Sequence, residues 1–304
     1  MTLLVTDPLY LQHRTPGHVE CPERLQAIQE HFRNCGLTER LTALPARDAT
    51  VDELALMHGR EYIEVVREIS QRGGGWFDSD TYLNEHSYAA AIRAAGGVLA
   101  AVEAVRDGRD RTALCLVRPP GHHALPERGM GFCLFNNVAI AARFLKRRVL
   151  IVDWDVHHGN GTQEMVEDDP SITYVSTHRF PFYPGTGWAE ERGVGNIINV
   201  PMEGRTSRQA FMERFTSAVR KAAAESKPEF LLVSCGFDAY EDDPIGGLNL
   251  KPEDYRLMTD VVCGLGVPVV SALEGGYSLE GLGPCAEQHA LGLLGEGEMK
   301  EIRR

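Results

Sequence analysis

Short apolar and β-branched runs recur along the chain, with longer amphipathic stretches between them. ALCLV (113–117), RVLIVDW (148–154), ITYVS (172–176), NIINV (196–200), FLLVSCG (230–236) and VPVVSA (267–272) lack the alternation of a half-solvated strand. They predict strands buried on both faces. NNVAIAARFLKR (136–147), SRQAFMERFTSAVRKAAAES (207–226) and PEDYRLMTDVVCGL (252–265) space their apolar residues by three and four, as helices do. Upstream, the segments 21–36, 51–70 and 87–108 predict three more helices. Strand–helix alternation on this scale predicts a mostly parallel sheet sandwiched between helix layers.

Ligands of open α/β sheets bind just beyond the carboxyl ends of the strands, and the unusual residues of this chain lie there. RPPGHHA follows the 113–117 run and DWDVHHGNG closes 148–154. GFDAYEDDPIGG follows 230–236, and LEGGY follows 267–272. Four loops are therefore expected to converge on one face.

With 304 residues, 43% of them hydrophobic, the chain can bury a large core. It shows no repeat and no linker-like stretch, so a single domain over 1–304 is expected. The formal net charge of −12 argues against a nucleic-acid partner, which demands a basic face. It suits attraction of a cationic substrate, and equally plain solubility. The seven cysteines form no C-x-x-C pair and several sit in apolar runs, which predicts free thiols in a reducing compartment. The first residues have no basic leader, and no apolar run is read as approaching the roughly 20 residues that cross a bilayer. A soluble, cytoplasmic protein without a membrane partner is the expectation.

The chemistry starts at Asp155 and His157. In an extended segment, residues two apart face the same side, so D-x-H offers an oxygen and a nitrogen to one ion. A hydrolytic zinc takes three N or O ligands and keeps one position for water. Asp238, in the loop after 230–236, is the third candidate; the pair alone reads equally well as a capping Asp beside a core His. His122 and His123 follow a Pro-Pro-Gly turn that lets both project inward, where imidazoles suit proton handling. Asp153 and Asn160 are the candidates to orient them. Tyr277 follows two glycines, which give its phenol the reach to donate to a developing oxyanion.

At this point the motifs RPPGHHA, GFCLFNNVAIAA, DWDVHHGNGT, HRFPFYPGTG, GFDAYEDDPIGGLNL and LEGGYSLEGL together resemble the ordered series of zinc-dependent histone deacetylases. The likeness is to their class II-like bacterial branch, with acetylpolyamine amidohydrolases and acetoin-utilisation proteins as relatives. GHVECPERLQAI and DSDTYLNEHSYAAAIRAAGG extend it over nearly the whole chain. The resemblance implies the arginase/deacetylase fold, a three-layer α/β/α domain around an eight-stranded, mostly parallel sheet. It implies Asp155, His157 and Asp238 as zinc ligands, His123 as general base and then acid, and His122 as its electrostatic neighbour. Asp153 then orients His122, Asn160 replaces the Asp that many relatives carry behind His123, and Tyr277 stabilises the oxyanion. A structural potassium ion is implied near Asp153, Asp155 and His157, with Ser176 and Thr177. Fe(II) fits the same catalytic donors as Zn(II).

For the substrate, Phe132 and Tyr183 match two parallel aromatic walls of an acyl-lysine tunnel, with Gly131 beside them. Ile245 stands where polyamine-specific relatives place an acid, which favours acyl-lysine over free acetylpolyamine. Glu241, Asp242 and Asp243 keep the polyamine alternative open, although such a run is more often a solvated face. Asp80 is expected at the pocket mouth, with Asp78 an equal candidate. Hydrolysis of an acyl amide, most often acetyl-lysine in a protein, is the expected activity. A small-molecule amidohydrolase, a silent acyl-lysine-binding protein and a two-manganese ureohydrolase rank below it. Relatives of this branch often associate, which leaves homo-oligomerisation open.

Overall fold

A computed structural model describes residues 1–295; the last nine residues of the expected single domain, 296–304, lie outside the described residues. The strands in chain order are β1 (Thr2–Val5), β2 (Leu41–Ala43), the short antiparallel partners β3 (Gly74–Trp76) and β4 (Tyr82–Asn84), β5 (Thr112–Cys115), β6 (Val149–Asp153), β7 (Ile172–Arg179), β8 (Ile197–Met202), β9 (Phe230–Cys235) and β10 (Val269–Leu273). All but β3 and β4 form one sheet in the order β2-β1-β5-β10-β9-β6-β7-β8. Every neighbouring pair in it runs parallel. β6, β9 and β10 are buried at each residue, which is why their sequences show no polar alternation.

Two sets of helices cover the sheet. Ser87–Arg106 and Asn137–Leu145 pack on each other and on the central strands. Glu23–Asn34, Arg208–Ser226, Pro252–Cys263 and Leu279–Leu293 form a second contiguous set. The result is the three-layer α/β/α architecture that the resemblance implies.

Two expectations need correction. The 51–70 segment divides into Val51–Leu54 and Arg60–Gln71. His58 in the intervening turn is buried; its Nε2 accepts from the Asn136 N–H (2.9 Å), so tertiary bonding overrides the apolar periodicity. Ser87–Arg106 is long and apolar enough, by length and composition, to cross a bilayer, contrary to the sequence reading; 67% of its apolar window is buried inside the protein, as in a core helix. The sequence reading also omits β1, β2 and Leu279–Leu293. The two strands span four and three residues, and the helix carries Gly281, Gly283, Pro284 and Gly292, breakers that mask its periodicity.

The sheet order decides where the site falls. β5, β10, β9 and β6 are adjacent at the centre of the sheet, so the four motif loops leave side by side at their carboxyl ends.

Candidate active site

Asp155, His157 and Asp238 are buried, and each places a ligand atom within 4.8 Å of the others. The pleat of a strand does not do this, since β6 stops at Asp153. Instead, the Asp155 carboxylate accepts the backbone N–H of His157 (2.9 Å), an Asx turn that folds the two side chains together. His157 Nδ1 then lies 3.0 Å from Asp155 Oδ1 and 3.3 Å from Asp238 Oδ2. The second oxygen of each carboxylate is spent on backbone, Asp155 Oδ2 on Gly275 N–H (2.8 Å) and Asp238 Oδ1 on Val156 N–H (2.8 Å). Asp238 Oδ2 is buried with no hydrogen bond. An uncompensated buried carboxylate oxygen costs several kcal/mol in apolar surroundings, on the order of 1–3 by mutational measure. A divalent cation satisfies it, and the two-carboxylate, one-imidazole donor set fits such an ion.

The charge balance agrees. Burial lowers the His157 pKa, yet its bond to Asp155 and the nearby Asp238 carboxylate reverse this and hold it up at about 9. Burial raises Asp238 to about 7, with the Asp155 charge adding to the effect. The trio thus holds a proton where a cation is wanted.

The two adjacent histidines diverge in the same way. Their rings lie 4.0 Å apart, centroid to centroid. His122 Nδ1 pairs with Asp153 Oδ2 (3.1 Å) and its Nε2 is 3.8 Å from Asp155 Oδ1. Burial opposes its charge, but Asp155 and Asp153 raise its pKa to about 10. His123 Nδ1 pairs with Asn160 Oδ1 (2.8 Å), while burial and the charges on His122 and His157 hold it well below the ordinary histidine range. One imidazole is a fixed cation and its neighbour a neutral base. Asn160 opens the helix Asn160–Val166, and its Nδ2 points to the Met130 sulfur (3.5 Å), which fixes the amide so that oxygen faces His123.

Tyr277 is 8% exposed. A Cβ on Gly275 would come within 2.1 Å of Asp238 Oδ2, and Gly276 has φ +111°, so both glycines are required for this approach. Several supports were invisible in the sequence pattern. Glu274 Oε2 accepts the N–H groups of Gly121 (2.7 Å) and His122 (3.1 Å), tying the tyrosine loop to the histidine turn. Arg24 donates to the Glu274 carbonyl (2.5 Å) and the Gly276 carbonyl (2.6 Å), and stacks 4.7 Å over the Tyr277 ring. Asp243 does not belong to a solvated acidic face: its Oδ2 accepts the Tyr277 N–H (2.7 Å). Glu241 and Asp242 are exposed.

A cavity of about 210 Å³ opens above these groups, lined by Asp80, His123, Gly131, Phe132, His157, Phe182, Tyr183, Ile245 and Tyr277. It collects Gly131, Phe132, Tyr183 and Ile245 of the residues expected at the substrate, and one of the two candidate mouth aspartates. Asp80 lines it and Asp78 does not; Asp78 Oδ1 is engaged by the N–H groups of Asp80 (3.1 Å) and Thr81 (2.9 Å). The expected pair of aromatic walls is a trio, because Phe182, missed in the sequence, stacks on His157 at 5.2 Å and 14°. Phe132 stands edge-on to Tyr277 at 5.8 Å and Tyr183 edge-on to His123 at 5.2 Å. Phe132 also has φ +70°, a strained conformation for a bulky residue that sets its ring at the cavity wall. On β7, the Ser176 hydroxyl pairs with His178 Nδ1 (2.8 Å), whereas the Thr177 hydroxyl donates to the Asp153 carbonyl (3.5 Å).

Comparison with known proteins supplies the family. The model of the histone deacetylase domain matches residues 18–293. Histone deacetylase 15 of Arabidopsis thaliana is 40% identical over 299 residues, covering 94% of this chain and 54% of that protein. The Homo sapiens protein named polyamine deacetylase HDAC10 is 39% identical over 301 residues, covering 91% and 45%. The chain thus spans about half the length of these two relatives. The crystal structure of the HDA15 HD domain superposes with a TM-score of 0.94 at 38% identity, covering 99% of this chain and 90% of that one.

Proposed function

This chain belongs to the histone deacetylase family and is a hydrolase of acyl amides; we propose that it removes the acyl group, acetyl first, from lysine side chains of proteins. The observation that carries this reading is the cavity in which aromatic walls lead to His123, His157 and Tyr277. Such walls suit a thin aliphatic stem whose amide lies at the bottom. Asp155, His157 and Asp238 would hold one zinc ion, with Fe(II) accepted by the same donors. When bound, zinc supplies Lewis-acid polarisation of the acyl carbonyl and of water.

The residues perform the rest. His123, neutral and with Nδ1–H directed at Asn160 Oδ1, has Nε2 free to take the proton of the attacking water. His122, oriented by Asp153, is pushed by that carboxylate toward its charged form and favours negative charge developing nearby. The Tyr277 hydroxyl donates to the oxyanion. His123 then returns its proton to the departing amine, and acetate and free lysine leave. Asp80 at the mouth is proposed to accept a backbone N–H of the substrate. A potassium ion at the Asp153–His157 turn, next to Ser176 and Thr177, belongs to the same proposal, as does a cytoplasmic location.

The second reading, an acetylpolyamine amidohydrolase, is favoured by likeness to the human polyamine deacetylase. Ile245 on the cavity wall opposes it, because an apolar side chain offers a polyamine cation nothing. The deciding experiment compares kcat/KM on an acetyl-lysine peptide and on N-acetylputrescine, for wild type and Ile245→Glu. The proposal expects the peptide to be preferred and the substitution to move preference toward acetylputrescine. Preference of the wild type for acetylputrescine would replace it with the second reading.

A further inference from the structure

The helices Glu23–Asn34 and Leu279–Leu293 pack side by side and bring together His31, Glu287 at the middle of the second helix, and Cys35, which caps the end of the first. One ligand atom from each lies within 4.8 Å of the other two. His31 Nε2 is 2.7 Å from Glu287 Oε2. His31 and Cys35 are four residues apart and share a helix face. Opposite them, Gly283 and Glu287 share a face by the same spacing. A Cβ on Gly283 would come 2.6 Å from His31 Cβ, so the imidazole is seated against bare backbone and aimed along the facing helix at Glu287. The group is accessible, the side chains of His31 and Glu287 being 31% and 27% exposed and Cys35 exposed. None of the three lines the substrate cavity.

We propose that His31, Cys35 and Glu287 form a second metal site, taking a divalent d-block ion of the zinc class through nitrogen, thiolate sulfur and carboxylate oxygen. Three such ligands with water in the fourth position complete a tetrahedron, and a thiolate selects against Mg²⁺ and Ca²⁺. Binding releases the Cys35 thiol proton, and any proton shared by His31 and Glu287, to solvent. The ion ties together two helices whose first turns serve the cavity. Arg24, near the start of one, holds the carbonyls of Glu274 and Gly276. The other starts at Leu279, two residues after Tyr277, with Ser278 as its cap. Occupancy is therefore expected to stabilise the fold and to leave the donors of the catalytic trio untouched.

The test exploits the sulfur. Asp155, His157 and Asp238 offer no thiolate, so a thiolate-to-cobalt charge-transfer band cannot arise there. Metal-stripped full chain is titrated with Co²⁺ and followed by near-ultraviolet absorbance. The proposal expects such a band in the wild type, its loss in Cys35→Ser and His31→Ala, and its retention in Asp238→Ala. In parallel, zinc added beyond the catalytic equivalent raises the thermal midpoint of the wild type but not of Cys35→Ser. Absence of the band, or its survival in Cys35→Ser, overturns the site; survival in Cys35→Ser with loss in Cys133→Ser would place the sulfur ligand beside His122 and Glu274 instead. Turnover is not read, so failure of the deacylation proposal would leave this result interpretable.

Discussion

At the scale of single residues, the arrangement is one of charges held in place before any substrate arrives. Asp238 Oδ2 is the one carboxylate oxygen among the buried, unbonded side-chain atoms of the described residues, and it points at the other two candidate ligands. Tyr277 and Asn160 are the residues whose roles are most separable from folding. Tyr277→Phe removes only the proposed oxyanion donor, so kcat is expected to fall roughly 100- to 1,000-fold while metal content stays the same. Unaltered turnover in that variant would remove Tyr277 from the chemistry. Asn160→Asp puts a negative charge on the far nitrogen of His123, which raises its pKa by about one unit or more. Because His123 must be neutral to accept a proton, the acid limb of the kcat/KM profile is expected to move to higher pH. A profile that stays put, with the metal still bound, would show that another group sets that limb.

At the scale of elements, the loops after β5 and β10 act as one unit because Glu274 spans them. Its carboxylate accepts two N–H groups of the histidine turn and the Ser234 hydroxyl (3.1 Å), and burial raises its pKa to about 7. Glu274→Ala leaves these buried donors unpaired, at roughly 1–3 kcal/mol each. A lowered urea midpoint and a reduced kcat are expected together, with Glu274→Gln, which keeps an acceptor oxygen, recovering most of both. Equal damage from Ala and Gln would mean that the carboxylate's charge, and not its hydrogen bonding, matters. The elements themselves were legible in the sequence to different degrees. β6, β9 and β10 read cleanly because burial on both faces leaves no choice but apolar residues. The helix Leu279–Leu293 did not, since its glycines are chosen for close packing against Tyr240, His31 and Thr259, which periodicity cannot register. The D-x-H pair was found for a reason the structure corrects: a backbone-to-carboxylate turn, and not strand alternation, gathers the candidate ligands.

At the scale of the whole molecule, a buried cluster joins the amino-terminal segment to the site. Glu20 accepts from Arg118 (2.5 and 2.7 Å) and Arg24 (2.9 Å), and all three side chains are fully buried. Burial disfavours the Glu20 carboxylate, but Arg118 and then Arg24 outweigh this and hold its pKa far below the usual glutamate range. A carboxyl depressed on folding adds stability that is fully present above its unfolded pKa of about 4.3 and is lost as pH falls toward the folded value. Glu20→Gln is expected to cost about 3–5 kcal/mol, by leaving two guanidinium groups short of their counter-charge. The difference from wild type in urea denaturation should persist from neutral pH to roughly 4.3 and shrink only below it. A difference that vanishes between pH 7 and 5 would mean that Glu20 is not ionised in the fold. This cluster was not legible, because Glu20 and Arg24 in GHVECPERLQAI and Arg118 in RPPGHHA lie about 100 residues apart and meet only through the topology. His123, His157, Ile245 and Tyr277 were legible because their motifs follow four strands that prove adjacent, whereas Asp80, Phe132 and Tyr183 came only through the family resemblance and Phe182 through neither. The most direct test of the whole account pairs metal content with acetate release from an acetyl-lysine peptide, for wild type and Asp238→Ala. The account predicts that the substitution removes the catalytic metal and the activity together while the fold persists; acetate release at the wild-type rate from Asp238→Ala would contradict it.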